Sequence, residues 1–95
     1  MKGLRWKPLA LEDRQWIMDY VARNNSSAAA ELDLEFEAAA DRARRAPTLY
    51  RPGRVKGTRE LVVRPNYVMV YRVLADSVEV LRVLHAAQQW PPFAA

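Results

Sequence analysis

Cysteine is absent from this 95-residue chain, and histidine occurs once, as His85. The first absence removes disulfide scaffolds, thiol nucleophiles and cysteine-based zinc sites, and a single imidazole cannot build a His-rich metal site. No metal and no other cofactor is expected. Long hydrophobic runs are also missing: no uncharged stretch approaches the ~20 apolar residues that span a bilayer, and the N-terminus has no apolar signal core. The expectation is a cytoplasmic protein. There is no internal repeat and no low-complexity linker. What remains, 51% hydrophobic and 27% charged residues, is ordinary globular composition for one small domain, residues 1–95, with a non-regular and mobile tail expected over 88–95.

The formal charge of +4 conceals an asymmetry. Residues 1–41 carry five bases against eight acids, a balance of −3. Residues 42–64 carry eight bases (Arg42, Arg44, Arg45, Arg51, Arg54, Lys56, Arg59 and Arg64) against Glu60 alone, a balance of +7. The rest of the chain is neutral, two against two. A concentrated basic segment is the footprint of a polyanion-binding or acidic-partner surface, although a solvated face gives the same run. Arginine supplies seven of the eight bases, which favours planar, bidentate contact with phosphate or carboxylate. Arg51, Arg54, Lys56 and Arg59, with Trp90 in the Pro-flanked tail, are the candidate partner-binding residues.

Leu4 to Trp6 reads as a short opening strand. Leu9, Trp16, Ile17, Tyr20 and Val21 then recur at helical spacing, the apolar face of an amphipathic helix. Asn24 to Ser27 combines a stop with an N-cap, and residues 28–46 are rich in Ala, Glu, Leu and Arg, all strong helix formers. The second helix should bury Ala29, Leu32, Phe36, Ala39, Ala40 and Ala43. Its acids come early and its arginines late, as the helix dipole favours. Pro47, Pro52, Gly53 and Gly57 end the helical pattern. Residues 60–63, 67–73 and 78–84 are rich in β-branched and aromatic residues, with gaps short enough for hairpins. Because the last two runs are apolar at nearly every position, both of their faces should be covered. The expected architecture is α+β: an N-terminal strand, a two-helix hairpin and a three-stranded antiparallel meander completing a small sheet, β-α-α-β-β-β.

This order of elements resembles the RelE/ParE superfamily of toxins from bacterial type II toxin-antitoxin modules. The resemblance spans nearly the whole chain. It rests on Trp6 and Pro8, on Ala10, Asp13, Ile17, Tyr20 and Val21, and on Ala28, Ala29 and Leu32. The strongest blocks are Gly53 to Val63, Tyr67 to Val73 and Val80 to Trp90. It implies a small growth-inhibiting protein held in check by a cognate antitoxin, and it implies two function classes. RelE-like members are metal-independent, ribosome-dependent nucleases that cut mRNA, whereas ParE-like members have no catalytic site and block DNA gyrase. Fold alone does not choose between them.

Cleavage by a 2′-hydroxyl needs a base, cations for the phosphorane and an acid for the leaving oxygen. Resemblance to RelE-like enzymes assigns the cations to Arg54, Lys56 and Arg59. It leaves the last strand reading Leu84-His85-Ala86, with no tyrosine after Tyr71. In a YoeB-like branch His85 matches the catalytic histidine, but Ala86 replaces the tyrosine beside it; Glu60 is a possible carboxylate. His85 is the natural proton-transfer group because it alone titrates near neutrality unperturbed, although a histidine here also closes the sheet in ParE-like members. With the catalytic set incomplete, the expectation is a ParE-like gyrase poison; the alternatives are a nuclease acting at the ribosome on mRNA and an inactive member of the same fold.

Overall fold

The computed structural model describes residues 2–86, 88, 90 and 91. Seven elements follow in chain order: β1 (Gly3–Trp6), α1 (Pro8–Ala22), α2 (Ser26–Arg45), β2 (Arg51–Pro52), β3 (Arg59–Arg64), β4 (Tyr67–Val73) and β5 (Ser77–His85). The strands form one sheet in the order β1-β5-β4-β3-β2, with β1 parallel to β5 and every other pair antiparallel. The helix hairpin packs on one face. Strand, helix pair and meander are therefore as the sequence implies, with β2 as an addition.

Each helix starts where its local chemistry dictates. Pro8 occupies the first turn of α1, where its missing N–H would have had no helical partner. Asn25 caps α2, its Oδ1 accepting from the Ala28 N–H at 3.0 Å, which satisfies one of the first-turn donors. Arg42, Arg44 and Arg45 fall in the last turn of α2, beside the partial negative charge of its C-terminus.

The core lies between the hairpin and the near face of the sheet. From α2 it takes Ala29, Leu32, Phe36, Ala39, Ala40 and Ala43, the six expected positions, all buried. Alanine at four of them allows close approach to the sheet, and Phe36 fills the centre, edge-on to Tyr67 at 5.8 Å between ring centroids. Met69, Tyr71, Val78, Val80 and Val83 complete the strand side. Val68, Val70 and Leu84 are also buried but belong to the opposite face, so both faces of the central strands are covered, as their unbroken apolar character requires.

Helix α1 departs from expectation. Ala10 and Ile17 are its buried residues, with Met18 and Val21 packed against the core, whereas Leu9, Trp16 and Tyr20 are exposed. Its apolar arc is wider than the surface it covers. One stripe (10, 14, 17, 21) meets the core and α2; of its neighbour (9, 13, 16, 20) Asp13 turns to β5, while Leu9, Trp16 and Tyr20 stay in solvent.

Two irregularities position the functional surfaces. Strand β2 is only two residues long and contains a proline, tolerated because it lies at the sheet edge; beyond it Gly57 turns the chain with φ of 85°, a left-handed conformation that glycine adopts without strain. Strand β5 carries a bulge, the register passing from Val70↔Arg82 to Tyr71↔Val80 and leaving Leu81 unmatched. The bulge puts Val83 on the helix face and Arg82 on the other. β1 accompanies β5 only to Val80, whose carbonyl accepts from the Lys7 N–H at 2.9 Å, so the outer edge of β5 has no strand partner after the bulge. Among the described residues no helix is long and apolar enough to cross a membrane.

Candidate functional site

The basic segment is organised from within by its single acid. Glu60 lies in β3 opposite Val70 and Arg51, and it is 3% exposed. Its carboxylate accepts from the Arg54 backbone N–H at 2.8 Å, from Arg54 Nε at 3.1 Å and from Arg51 Nη2 at 3.2 Å. Burial opposes its charged form, but the Arg54 backbone N–H, the Arg54 guanidinium and the Arg51 charge together outweigh it and hold the carboxyl below its ordinary value. Glu60 is thus a charged hub that accepts three hydrogen bonds on its two oxygens and is held by Arg51 and Arg54.

Arg59 is equally committed. Its Nη1 donates to the Tyr50 carbonyl at 2.7 Å and to the Thr48 carbonyl at 3.3 Å, closing the connection between α2 and β3. Tyr71 reinforces the same connection by donating to the Pro47 carbonyl at 2.6 Å. Lys56 is exposed and makes no ion pair among the described residues. Arg51 and Arg54 keep much of their guanidinium surface in solvent, with 58% and 40% of their side chains exposed. The segment is therefore a braced loop that presents cations outward.

His85 stands elsewhere. Arg59 pairs with Tyr71 on β4, while His85 pairs with Tyr67. Four residues along β4 and one strand spacing to either side separate the two by roughly 16 Å between backbones. The structure brings Arg51, Arg54, Arg59 and Lys56 to one end of the sheet and puts His85 at the other. There it is edge-on to Tyr67, at 5.6 Å between ring centroids.

Around His85 lies a groove of about 590 Å³, lined by Asp13, Trp16, Ile17 and Tyr20 of α1, by Asn66, Tyr67, Val83 and His85 of the sheet, and by Gln88. Its outer wall is the unused stripe of α1. Trp16 is 67% and Tyr20 53% exposed; the two rings stack with centroids 5.5 Å apart, and Arg23 lies over Tyr20. A free domain gains nothing by holding two large aromatic rings in water, so this wall has the character of a surface that a partner covers.

Asp13 closes the inner end of the groove. Its carboxylate accepts from Arg82 Nε at 2.7 Å, Arg82 Nη2 at 3.0 Å and the Val83 backbone N–H at 3.0 Å. That last bond caps the β5 edge where β1 has left it, so an edge donor that would otherwise invite strand addition is satisfied. The pairing with Asp13 raises the Arg82 guanidinium above its ordinary value. On its other side Arg82 lies 5.4 Å from the centroid of the Trp90 ring. Trp90 is half-buried and its Nε1 is shut off from solvent, so the ring lies back against the protein. Other parts of the tail, Ala87, Gln89 and Pro92 to Ala95, fall outside the described residues.

Asp13, Arg82, Trp16 and Tyr20 were not singled out as site residues by sequence reasoning. One signal was available for the first two: an acid on an apolar helical stripe and a lone cation in an apolar strand each need a partner, and with matching charge they are candidates for each other.

Residues 4–90 match the family described as ParE toxin of the type II toxin-antitoxin system, parDE. The chain belongs to the ParE toxin family. Relatives extend over almost its entire length: a protein of Sinorhizobium fredii (strain NBRC 101917 / NGR234) named "Putative toxin Y4kP" is 41% identical over 91 residues, 95% of this chain and 94% of that protein. Toxin RelE2 of Caulobacter vibrioides (strain ATCC 19089 / CIP 103742 / CB 15) is 36% identical over 88 residues, 93% and 99% of the two chains. Among solved structures, a chain of the chromosomal ParDE TA system from P. aeruginosa superposes with a TM-score of 0.78 at 22% identity, covering 90% of this chain and 96% of that one. At that identity the likeness is one of fold. The protein is a ParE-family toxin of the RelE/ParE superfamily with the β-α-α-β-β-β fold that its sequence implies.

Proposed function

We propose that this ParE-family toxin arrests growth by binding DNA gyrase rather than by cutting RNA, and that a cognate antitoxin neutralises it. One observation carries the reading: the proton-transfer group a nuclease would need is held far from the cations. His85, the natural proton-transfer group, is at the opposite end of the sheet from Arg59; Arg59 is turned onto the Tyr50 and Thr48 carbonyls, and the Glu60 carboxylate is engaged by Arg51 and Arg54. General acid–base catalysis requires its groups within hydrogen-bond reach of one reacting centre. Binding requires only a rigid surface, and the braced basic loop offers one.

The antitoxin reading draws on the groove. A partly exposed aromatic wall beside a capped strand edge fits the apolar face of an amphipathic segment. An acidic stretch in the same partner would be oriented by the basic loop, with steering screened beyond ~8 Å at physiological salt.

Plasmid supercoiling by purified gyrase tests the target. Added toxin should inhibit supercoiling, and pre-mixing with the antitoxin should restore it. Unimpaired supercoiling, together with new 5′ ends in ribosome-bound messages by primer extension, would replace this reading with the nuclease.

A further inference from the structure

Exposed apolar surface is gathered on one helix. Leu9, Trp16 and Tyr20 share a single face of α1, whereas the exposed Leu34, Leu49 and Val62 stand one each on α2, the connection after it and β3. Residues seven apart on a helix differ by only ~20° in direction, so Leu9, Trp16 and Arg23 form one line. Arg23 belongs to it because, as the C-cap, it keeps helical dihedrals of φ −56° and ψ −34°. Glu12 and Tyr20 flank the line, and Glu12 and Arg23 are both exposed. The face therefore has an aromatic centre, an acid toward one end and a base at the other.

We propose that this face docks a second copy of the same chain, α1 against α1, antiparallel about a two-fold axis through Trp16. In that arrangement a residue k positions after Trp16 faces the residue k positions before it on the other helix, and every contact is made twice. Trp16 meets Trp16 of the second copy on the axis, Tyr20 meets Glu12 and Arg23 meets Leu9. The Arg23 guanidinium already lies back over the Tyr20 ring, 5.8 Å from its centroid, which sets it against Glu12 of the second copy. A parallel pairing would put Glu12 against Glu12 and Arg23 against Arg23; reversing one helix turns both repulsions into attractions. Asp13, which would face Asp19 of the second copy, is turned inward onto Arg82, so its charge does not oppose the approach. The pairing is independent of the target the toxin arrests. Trp16 and Tyr20 also wall the groove assigned above to the antitoxin, so on that reading the two occupants exclude each other, and the second copy shields the rings until antitoxin displaces it.

Sedimentation equilibrium of the full chain tests the pairing. One helix face against another withdraws about 1,000 Å² in all, the lower end of specific interfaces, so the mass should climb from one chain toward two at concentrations on the order of 10–100 µM. A mass that stays at one chain up to about 1 mM would overturn the proposal. Trp16→Ala should weaken pairing by at least about 30-fold, as loss of a central aromatic anchor does, and unchanged pairing would show that copies meet through another face. Tyr20→Ala takes its place should Trp16→Ala melt early. Glu12→Arg and Arg23→Glu should each weaken pairing by about tenfold or more, since each sets like charges opposite one another. The double variant Glu12→Arg/Arg23→Glu should return to within about threefold of the parent. Within one chain the two positions are ~16 Å apart along the helix, too far to pair, so recovery reports contact between copies and its absence would overturn the antiparallel register. A Trp16→Ala protein that no longer pairs yet binds antitoxin as tightly as the parent would overturn the shared wall, and with it the groove reading above, while the pairing stands on the charge reversal.

Discussion

Two carboxylates in this toxin make the same set of bonds and do different jobs. Glu60 and Asp13 each accept two guanidinium contacts and one backbone N–H. Glu60 finds all its donors within nine residues, at Arg51 and Arg54, and so shapes a local loop. Asp13 reaches across 69 and 70 residues and ties the first helix to the last strand. The arginines differ as well: those of Glu60 remain substantially solvated, whereas Arg82 is largely buried. What a buried acid contributes to the whole fold thus depends less on how many bonds it makes than on what its loss leaves stranded.

The largest expected effect follows from that difference. Asp13→Ala strands the buried Arg82 charge and the Val83 N–H together, and should cost about 3 kcal/mol, lowering the thermal midpoint by roughly 12–24 °C. Calorimetry of the purified protein checks it; a loss below that of a Glu60 variant would break the comparison. Glu60→Gln should cost about 1–2 kcal/mol at neutral pH, since the freed arginines can turn into water. Its pH dependence has a definite sign. The folded carboxyl titrates below its ordinary value, so its stabilisation is present above the ordinary carboxylate range and is lost as pH falls through the depressed value. Parent and Glu60→Gln melting curves should therefore converge in acid, and parallel curves would show that Glu60 is not the charged hub described.

Tyr71 sharpens the same loop from beneath. Burial pushes its hydroxyl up to about 12 against the opposing pull of Arg59, while it donates to the Pro47 carbonyl. Tyr71→Phe should cost about 1 kcal/mol. The stabilisation lies below the ordinary tyrosine value of about 10 and is lost as pH rises through about 12, so the variant should lack the parent's alkaline decline in urea-unfolding experiments. Smallest of all is Arg42→Ala: Arg42 is exposed on α2 and forms no ion pair among the described residues, so the change should stay within about 0.5 kcal/mol.

How far the sequence could be read follows from how local each feature is. The buried stripe of α2 was legible because that helix packs one face against one neighbour, and periodicity reports that directly. The apolar arc of α1 has the same periodicity, but two adjacent stripes share it, and spacing cannot say which one the core takes; Trp16 and Tyr20 therefore fall outside. Strand β2 was invisible because Pro52 reads as a breaker and two residues carry no alternation. The bulge at Leu81 leaves the apolar run unbroken, so the face on which Arg82 lies could not be read. The basic segment was plain from composition, but its bracing by Glu60 depends on the turn at Gly57 returning Arg54 to β3. The separation of His85 from Arg59 is a matter of strand register, which motif spacing along one chain does not encode.

The central claim is that this ParE-family toxin works by holding a surface against its target and uses no proton-transferring group. Growth arrest by His85→Ala, at matched expression and with folding confirmed by its melt and by antitoxin binding, tests that claim most directly. Toxicity close to that of the parent is the predicted result. A folded, antitoxin-binding variant whose toxicity falls by the ~10²–10⁴-fold typical of a lost general acid or base would contradict it.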